Sequence, residues 1–432
     1  MHKKNMGARN AIPAASEKLL TSGLFLLPTL SLTFPSGYSY AAVIITVGAT
    51  VFRLSSRTEC GSSSSLPGPV RLIIFFFVLY AAFWMGDAAI RGEGMRGFDR
   101  PSRFLLAAFC LAVIARTRIT PTSLWIGLAI GSIGAGGIAI WQRVIEDASR
   151  ASGFVQTIEF GAIAMLMGSM CVTGLIWTSE PLKSGLERLL LSGLFLNGFI
   201  AGITASILSG SRGAWLALLP AILIILWAAR RLTHTRNYLL AGLVLGILAV
   251  AITYSSPNTG VASRIAHAAQ QVDDYIDGHT DSSIGYRLEM WRGSTRLFAE
   301  KPLIGWGEVA YMRELKELGE AGIVNPEISR YAHAHNEWFN VFAKKGVAGG
   351  LILLGVYVTP LIWFIRIGRQ STERGNEDQS RFALATAGIV FSSGFMATGM
   401  TQVNFNHNVG VMVYVFMIAA LVGILSNKHW RK

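Results

Sequence analysis

The chain has 432 residues, of which 52% are hydrophobic and only 15% charged. A soluble domain carries nearer a quarter charged residues, so one water-soluble core is excluded; apolar runs that are continuous rather than alternating exclude a membrane β-barrel. The net charge of +13 falls largely in loops between apolar runs, where topology explains it without nucleic-acid binding.

In chain order, apolar runs lie near 18–35, 38–53, 69–87, 102–116, 122–141, 155–178, 187–208, 213–229, 237–254, 346–367, 381–400 and 407–426. A helix needs roughly 20 apolar residues to cross a bilayer, so these predict about twelve membrane-spanning helices, the second and fourth short. The first run is not a cleavable signal, because apolar sequence resumes at once and no small-residue cleavage site follows. The chain reads as an all-α polytopic membrane protein. Residues 1–254 carry nine spans, residues 255–345 form a large loop subdomain, and residues 346–432 carry three more.

Basic residues set the orientation. Lys3, Lys4 and Arg9 precede the first run; Arg53 and Arg57 follow the second, Arg116 and Arg118 the fourth, Lys183 and Arg188 the sixth. Arg230, Arg231 and Arg236 follow the eighth, Arg366, Arg369, Arg374 and Arg381 the tenth, and Lys428, Arg431 and Lys432 close the chain. Every second loop is basic, which predicts cytoplasmic termini and places the 86–101 loop, the Ser209–Arg212 break and the long 255–345 segment on the opposite face.

Within the long segment, Pro257, Asn258 and Gly260 punctuate the start. Ile284, Leu288, Trp291, Thr295 and Phe298 recur at helical spacing and predict an amphipathic helix with that stripe as its apolar face. Lys301-Pro-Leu-Ile-Gly-Trp-Gly307 ends it. Asn336 to Lys345 predicts a second short helix, with Trp338, Phe339, Val341 and Phe342 as its apolar face. Cys60 falls in a cytoplasmic loop and Cys110 and Cys171 fall inside spans, so neither a disulfide framework nor thiol–metal spacing is present.

Three polar breaks carry the chemistry. Arg91, Arg96, Arg100 and Arg103 cluster in or beside the 86–101 loop. They form either a loop neutralised by Asp87, Glu93 and Asp99 or an anion site, since arginine grips phosphate oxygens bidentately. Arg212 sits between two apolar runs with small neighbours Ser209, Gly210, Ser211 and Gly213, which leave room for a bulky ligand. Its alternatives are a functional cation near membrane depth and a side chain snorkelling to headgroups. Arg287 opens the amphipathic helix, as a ligand contact or a solvated helix charge. His335 suits a general base near neutral pH, and a helix start beside it would disfavour the imidazolium; a capping histidine is the competing reading. A zinc site of His333, His335 and Glu337 is disfavoured: residues two apart do not share a helical face, and no third ligand is evident. By the same spacing His333 should point away from His335 and matter less.

Ser209-Gly-Ser-Arg-Gly-Ala-Trp215, Gly285-Tyr-Arg-Leu-Glu-Met-Trp291 running into Lys301–Gly307, and His333-Ala-His-Asn-Glu-Trp338 followed by Gly346-Val-Ala-Gly-Gly350 together resemble the O-antigen ligase and polymerase superfamily. Phe98-Asp-Arg-Pro-Ser-Arg-Phe-Leu-Leu106 is similar to the ligase branch. The resemblance implies a GT-C-like glycosyltransferase of the bacterial inner membrane, acting on the periplasmic face. The donor would be an O-antigen on undecaprenyl pyrophosphate, the acceptor lipid A–core oligosaccharide, with surrounding lipid as the other partner and no nucleic acid. No cofactor or metal is implied. By carry-over His335 is the base and Arg212 and Arg287 stabilise the leaving group, while Arg91, Arg100, Arg103, Ser211, Tyr286, His333 and Asn336 complete the expected substrate-binding set. A polymerase of the same superfamily is the nearer alternative. A membrane transporter of lipid-linked glycans is the other, which mid-membrane charge pairs and broken helices would mark.

Overall fold

Inside a bilayer every backbone N–H and C=O must find a partner within the protein, and helices do this segment by segment. The computed structural model describes residues 2–55, 65–179, 184–232, 236–255, 261–372 and 378–427, and the regular elements among them are helical. Arg57, Cys60, Lys183, Pro257, Asn258, Gly260, Arg374, Lys428, Arg431 and Lys432 lie outside the described residues.

The helices are α1 (His2–Leu30), α2 (Gly37–Ser55), α3 (Gly68–Ile90), α4 (Arg96–Ile114), α5 (Thr122–Val144), α6 (Thr157–Thr178), α7 (Gly185–Leu208), α8 (Leu218–Arg231) and α9 (Arg236–Ser255). Then follow α10 (Val261–Ile276), α11 (Ser283–Glu300), α12 (Glu308–Glu320), α13 (Glu337–Thr372), α14 (Gln379–Thr398) and α15 (Asn408–Ser426). Each expected span has its helix, and the protein is an all-α polytopic membrane protein. Among the described residues nine helices are long and apolar enough to cross a membrane. The helices α1 and α4 fall short of that measure. In α4 the reason is visible: Arg96, Asp99, Arg100 and Arg103 occupy its first two turns.

The bundle is built around α6, in which every residue from Glu159 to Thr178 is buried. Small residues let its neighbours close in. A side chain at Gly202 of α7 would strike Gly168 of α6 and Ser132 of α5, and the Ser132 hydroxyl donates to the Gly198 carbonyl at 2.6 Å. Close small-residue packing and interhelical hydrogen bonds are what hold membrane helices together where lipid supplies no hydrophobic drive.

The segment between α9 and α13 makes a second apolar cluster of its own, with Met290 and Leu297 of α11, Tyr311, Leu315 and Leu318 of α12, Val324, Ile328 and Ala343. Two helices here, α10 and α12, were not among the expected elements. The buried Glu289 joins three pieces of it, accepting from the Tyr275 hydroxyl at 2.8 Å and from the Asn325 N–H at 2.8 Å.

The buried face of α11 differs from the expected stripe. It runs through Gly285, Glu289, Met290, Gly293, Ser294 and Leu297, whereas Ile284, Leu288, Trp291 and Phe298 are half-buried and Thr295 is exposed. Apolar periodicity misses it because small residues make this face: a side chain at Gly293 would strike Leu315 of α12. The expected stripe serves a second contact, with Trp291 stacked on Phe339 (5.3 Å between ring centres) and Phe298 edge-on to Phe342 (5.4 Å).

The short helix expected before residue 346 is present, joined to the following span across a break. Gly346 has φ 64° and ψ −165°, so α13 stops and restarts there. The Lys301–Gly307 loop repairs the break. The Trp306 and Gly307 N–H groups donate to the carbonyls of Ala343 and Lys344 at 3.0 and 2.8 Å; those of Val347 and Ala348 donate to Pro302 and Leu303 at 2.8 and 3.2 Å. Two carbonyls before the break and two N–H groups after it thus find partners in one loop. Arg91 clamps that loop in turn, donating to the Trp306 carbonyl at 2.8 Å and the Gly305 carbonyl at 3.0 Å, with Asp87 holding its Nε at 2.6 Å.

Gly346→Ala should be strongly destabilising. It places a side chain at positive φ, costing about 1–3 kcal/mol, and drives the added carbon into the Leu303 carbonyl. Gly137→Ala, in the middle of α5 with open space around it, should be neutral or slightly stabilising. Thermal unfolding of the two purified variants in detergent checks this; equal midpoints would refute the role given to the break.

Candidate active site

Five segments converge at one end of the bundle: the start of α4, the α5–α6 loop, the Ser209–Arg212 break, the 331–337 segment and the loop 399–407. Direct contacts tie them. The Arg150 guanidinium donates from Nε to the Ser209 carbonyl at 2.8 Å, the Glu337 N–H donates to the Gly399 carbonyl at 2.7 Å, and Arg100 donates to the Asn406 side chain.

The residues around Arg212 pack against protein. Gly210 adopts φ 65°, and a side chain at Gly213 would collide with the Thr401 hydroxyl. Ser211 is buried, its N–H donating to Ser209 Oγ at 3.1 Å. The small residues expected to leave room for a ligand therefore admit the 399–407 loop and α6 instead. They fix Arg212 at the mouth of a 3-10 turn, Arg212–Ala217, that leads into α8.

Arg287 lies half-buried near the start of α11. Its pKa is lowered by burial, then by the nearby charges of Arg212 and Arg150. Three guanidiniums from three separate segments thus share one electrostatic neighbourhood. Arg150 was missed by sequence reasoning; it stands in the α5–α6 loop with nothing around it to mark it. Tyr286 sits beside this group, 6.3 Å from the Tyr331 ring, which is 5.6 Å from His335.

His335 is held in a strained, left-handed backbone conformation, φ 48°. Such conformations persist only where the surroundings impose them and cluster at functional sites. Here the surroundings are explicit. Trp291 Nε1 donates to the Ala334 carbonyl at 3.0 Å and Lys344 Nζ to the Ala332 carbonyl at 2.8 Å. Asn336 caps α13, accepting from the Trp338 N–H at 3.0 Å and donating to the Met400 carbonyl at 2.9 Å.

The His335 ring is oriented by Gln402. Gln402 Oε1 accepts from the Val403 N–H at 3.1 Å, and Gln402 Nε2 donates to Glu159 Oε1 at 2.8 Å. The amide is thereby fixed with its oxygen 3.1 Å from His335 Nδ1, so Nδ1 carries the proton and Nε2 keeps its lone pair. Glu159 also lies 3.1 Å from His407 Nε2. Glu159, Gln402 and His407 were not predicted. The first lies inside the apolar run 155–178, Gln402 lies in the short gap after the run 381–400, and His407 opens the run 407–426, so hydropathy marks none of them.

His333 corrects the sequence expectation. Its ring meets that of His335 edge-to-face, 4.3 Å between centres, and lies 5.7 Å from His407. The two-residue spacing rule presumes regular backbone, and the left-handed turn at His335 breaks it. Burial lowers the His333 pKa to about 3, with His335 and His407 adding to the effect. Burial and then Arg287 lower that of His335 to about 4; burial, Arg100 and His335 lower that of His407 to about 4. The expected direction for His335 stands, but its causes are desolvation and Arg287 rather than the helix dipole.

The remaining expected substrate contacts are distributed elsewhere. Arg91 is engaged in the clamp on the 301–307 loop. Arg103 is ion-paired with Asp99 at 2.9 Å and donates to Asn408 at 2.6 Å. Arg100 faces Asn406, beside the histidines rather than beside Arg212 and Arg287. Asn336 is committed to capping.

Residues 197–354 match the family described as O-antigen ligase. Over that stretch the chain is similar to the O-antigen ligase family. The matched region carries Arg212, Arg287, His333 and His335, while Arg150, Glu159, Gln402 and His407 come from outside it. A Haemophilus influenzae (strain Rd) protein described as uncharacterized is 25% identical over 360 residues, covering 81% of this chain and 86% of its own length.

The histidines set a pH dependence. Their folded-state values near 3 to 4 lie below the unfolded value of about 6.5. Stability held in neutral rings is full above about 6.5 and is lost as pH falls through 4, because the unfolded chain binds the extra protons. The unfolding midpoint should therefore drop as pH is lowered from 7 to 5. His335→Gln should flatten part of that slope; an unchanged slope would refute the assignment.

Proposed function

We propose that the protein is an O-antigen ligase, transferring a glycan from undecaprenyl pyrophosphate to a terminal sugar of lipid A–core at the periplasmic face of the inner membrane. The observation that carries this reading is the grouping of Arg150, Arg212 and Arg287 beside a histidine whose Nε2 is left as a free base. A pyrophosphate leaving group needs positive charge placed in advance, and preorganised cations in a water-poor site supply it. The acceptor hydroxyl needs a base that is neutral at working pH, and His335 is one.

In the step itself the acceptor hydroxyl gives its proton to His335 Nε2. Its oxygen forms a bond to the anomeric carbon of the donor sugar. The bond from that carbon to the pyrophosphate oxygen breaks, and the electron pair leaves with polyprenyl pyrophosphate, held by the three guanidiniums. Direct displacement inverts the anomeric centre. Gln402 and Glu159 act as positioning residues, holding the His335 tautomer as carboxylates and amides hold imidazoles elsewhere.

In a purified assay with a polyprenyl-pyrophosphate glycan donor, Arg212→Ala and Arg287→Ala should each lower the transfer rate about 100- to 1000-fold. Arg212→Lys should rescue little, since a point charge lacks the bidentate fork. His335→Ala should block transfer but leave donor binding intact. Wild-type transfer should hold from neutral pH down to about 5 and fall through about 4. Near-wild-type turnover by Arg287→Ala at equal abundance would remove the leaving-group role.

The ligase reading itself is tested by deleting the gene in its host and examining lipopolysaccharide bands. A ligase leaves intact core without any O-antigen band, single-repeat or long. Retention of a core-plus-one-repeat band would make the protein a polymerase, which uses the same donor and another lipid-linked glycan as acceptor.

A further inference from the structure

A cavity of about 230 Å³ opens next to the His335 cluster and is lined by none of Arg150, Arg212, Arg287 or His335. It shares two walls with that cluster: the 337–345 turn of α13 and the loop 399–407. The third wall comes from the end of α3 and the start of α4. This volume lies below the roughly 300–1,000 Å³ of sites for drug-sized ligands, which suits a single small ring.

The lining has three features that point to one kind of occupant. The first is aromatic. Trp84 stacks on Tyr80 at 3.8 Å between ring centres, and Tyr80 stacks on Phe104 at 4.0 Å. Trp84 and Tyr80, the cavity end of this stack, line the wall. An aromatic platform flanked by polar groups suits a molecule that is apolar on its ring faces and hydroxylated at its rim.

The second feature is an orphan acceptor. Asn340 is only 7% exposed and lines the cavity, and its Oδ1 has no hydrogen-bond partner. A buried carbonyl left unpaired costs about 1–3 kcal/mol, so a donor is expected from the occupant. A sugar hydroxyl is such a donor.

The third feature is the charge left over after pairing. Lys344 is held by Glu308 at 2.7 Å and Lys345 by Asp87. Glu93 accepts from the Glu308 N–H at 2.9 Å and Glu337 from the Phe405 N–H at 3.1 Å. Arg100 donates to the neutral Asn406 amide and its charge also reaches the Glu308 carboxylate, and Arg96 has no ion pair among the described residues. Two guanidiniums therefore face one cavity outside any carboxylate ion pair at contact distance, in a lining that carries four cations (Arg96, Arg100, Lys344, Lys345) and three carboxylates (Glu93, Glu308, Glu337). A phosphate monoester, carrying roughly −1.5 to −2 charge at neutral pH, matches two such cations and accepts their forks bidentately.

We infer that this cavity is a recognition subsite for a phosphorylated sugar, stacked on Trp84, hydrogen-bonded to Asn340 Oδ1 and charge-matched by Arg96 and Arg100. That this sugar belongs to the acceptor rests on the transferase reading, since the cavity adjoins the base and not the Arg150, Arg212 and Arg287 group.

Two measurements test it. Saturation-transfer NMR on the purified full chain probes glucose 6-phosphate, glucose, inorganic phosphate and glycerol 3-phosphate. Ring protons of glucose 6-phosphate should be saturated, and the signal should be lost in Trp84→Ala and reduced several-fold in Arg96→Ala, an exposed position whose change leaves the fold intact. The other three probes should compete at least about 10-fold more weakly. Equal competition by inorganic phosphate or glycerol 3-phosphate would make this an anion or lipid-headgroup site and overturn the proposal. So would absent binding, or binding indifferent to both variants.

The second measurement is transfer kinetics. Arg96→Ala should raise the acceptor KM about 10-fold and leave the donor KM unchanged. Phosphatase treatment of the acceptor should raise the wild-type KM similarly and add nothing further to Arg96→Ala, as for two halves of one contact. A shift in donor KM instead would overturn the acceptor assignment. If the NMR pattern holds while wild-type transfer is absent, the subsite stands and the transferase reading falls; if transfer proceeds with unaltered acceptor KM, the reverse follows.

Discussion

The break in α13 at Gly346 is the constraint on which the rest of this end of the molecule depends. An interrupted helix near membrane depth leaves carbonyls and N–H groups that solvent cannot be relied on to satisfy. One loop, residues 301–307, supplies partners to both sides of the interruption, and Arg91 holds that loop to α3. The short helical stretch 337–345 is thereby set at a fixed angle to the span that follows. It carries Lys344, which grips the Ala332 carbonyl, and Asn336 caps its start. The strained turn at His335 is thus held from both ends by groups whose own positions trace back to a single glycine.

Electrostatics join the two halves of the proposed chemistry. Arg287 contributes to the charge that would receive a pyrophosphate, and the same guanidinium lowers the proton affinity of His335. A base that stayed protonated at neutral pH would be useless, and a cationic pocket is what keeps it unprotonated. The hydrogen bond to Gln402 acts in the opposite sense, fixing the ring without making it acidic. Burial dominates both influences, and burial comes from the loops packed over the site.

Much of the fold was legible in the sequence because length and hydropathy are all that a spanning helix requires. Each of the twelve expected spans has a helix, although α4 is half polar. The Ser209–Trp215, Gly285–Trp291 and His333–Trp338 stretches were legible because each places a charged or titratable group beside small or aromatic residues. Arg150, Glu159, Gln402 and His407 carried no such mark. Their importance comes from which loops meet in space, and loop convergence leaves no periodic trace in a chain. The buried face of α11 was misread for a related reason: glycine and serine pack tightly without looking apolar. His333 was misread because residues two apart are expected to point to different sides on a helix or in an irregular turn, whereas the left-handed turn at His335 brings the two rings together.

The enclosed helix α6 carries a consequence for how the protein is made. From Glu159 to Thr178 it has no exposed residue, yet its sequence is as apolar as those of helices that face lipid. In the finished bundle nothing demands that oiliness, since its neighbours are other helices. The demand comes earlier. A span leaves the insertion machinery sideways into lipid before its later companions, α7 and α14, exist to surround it. Its composition therefore records a passing environment, and its tight seams of glycine and serine record the lasting one. One stretch of sequence answers to two solvents, the bilayer first and the protein interior afterwards.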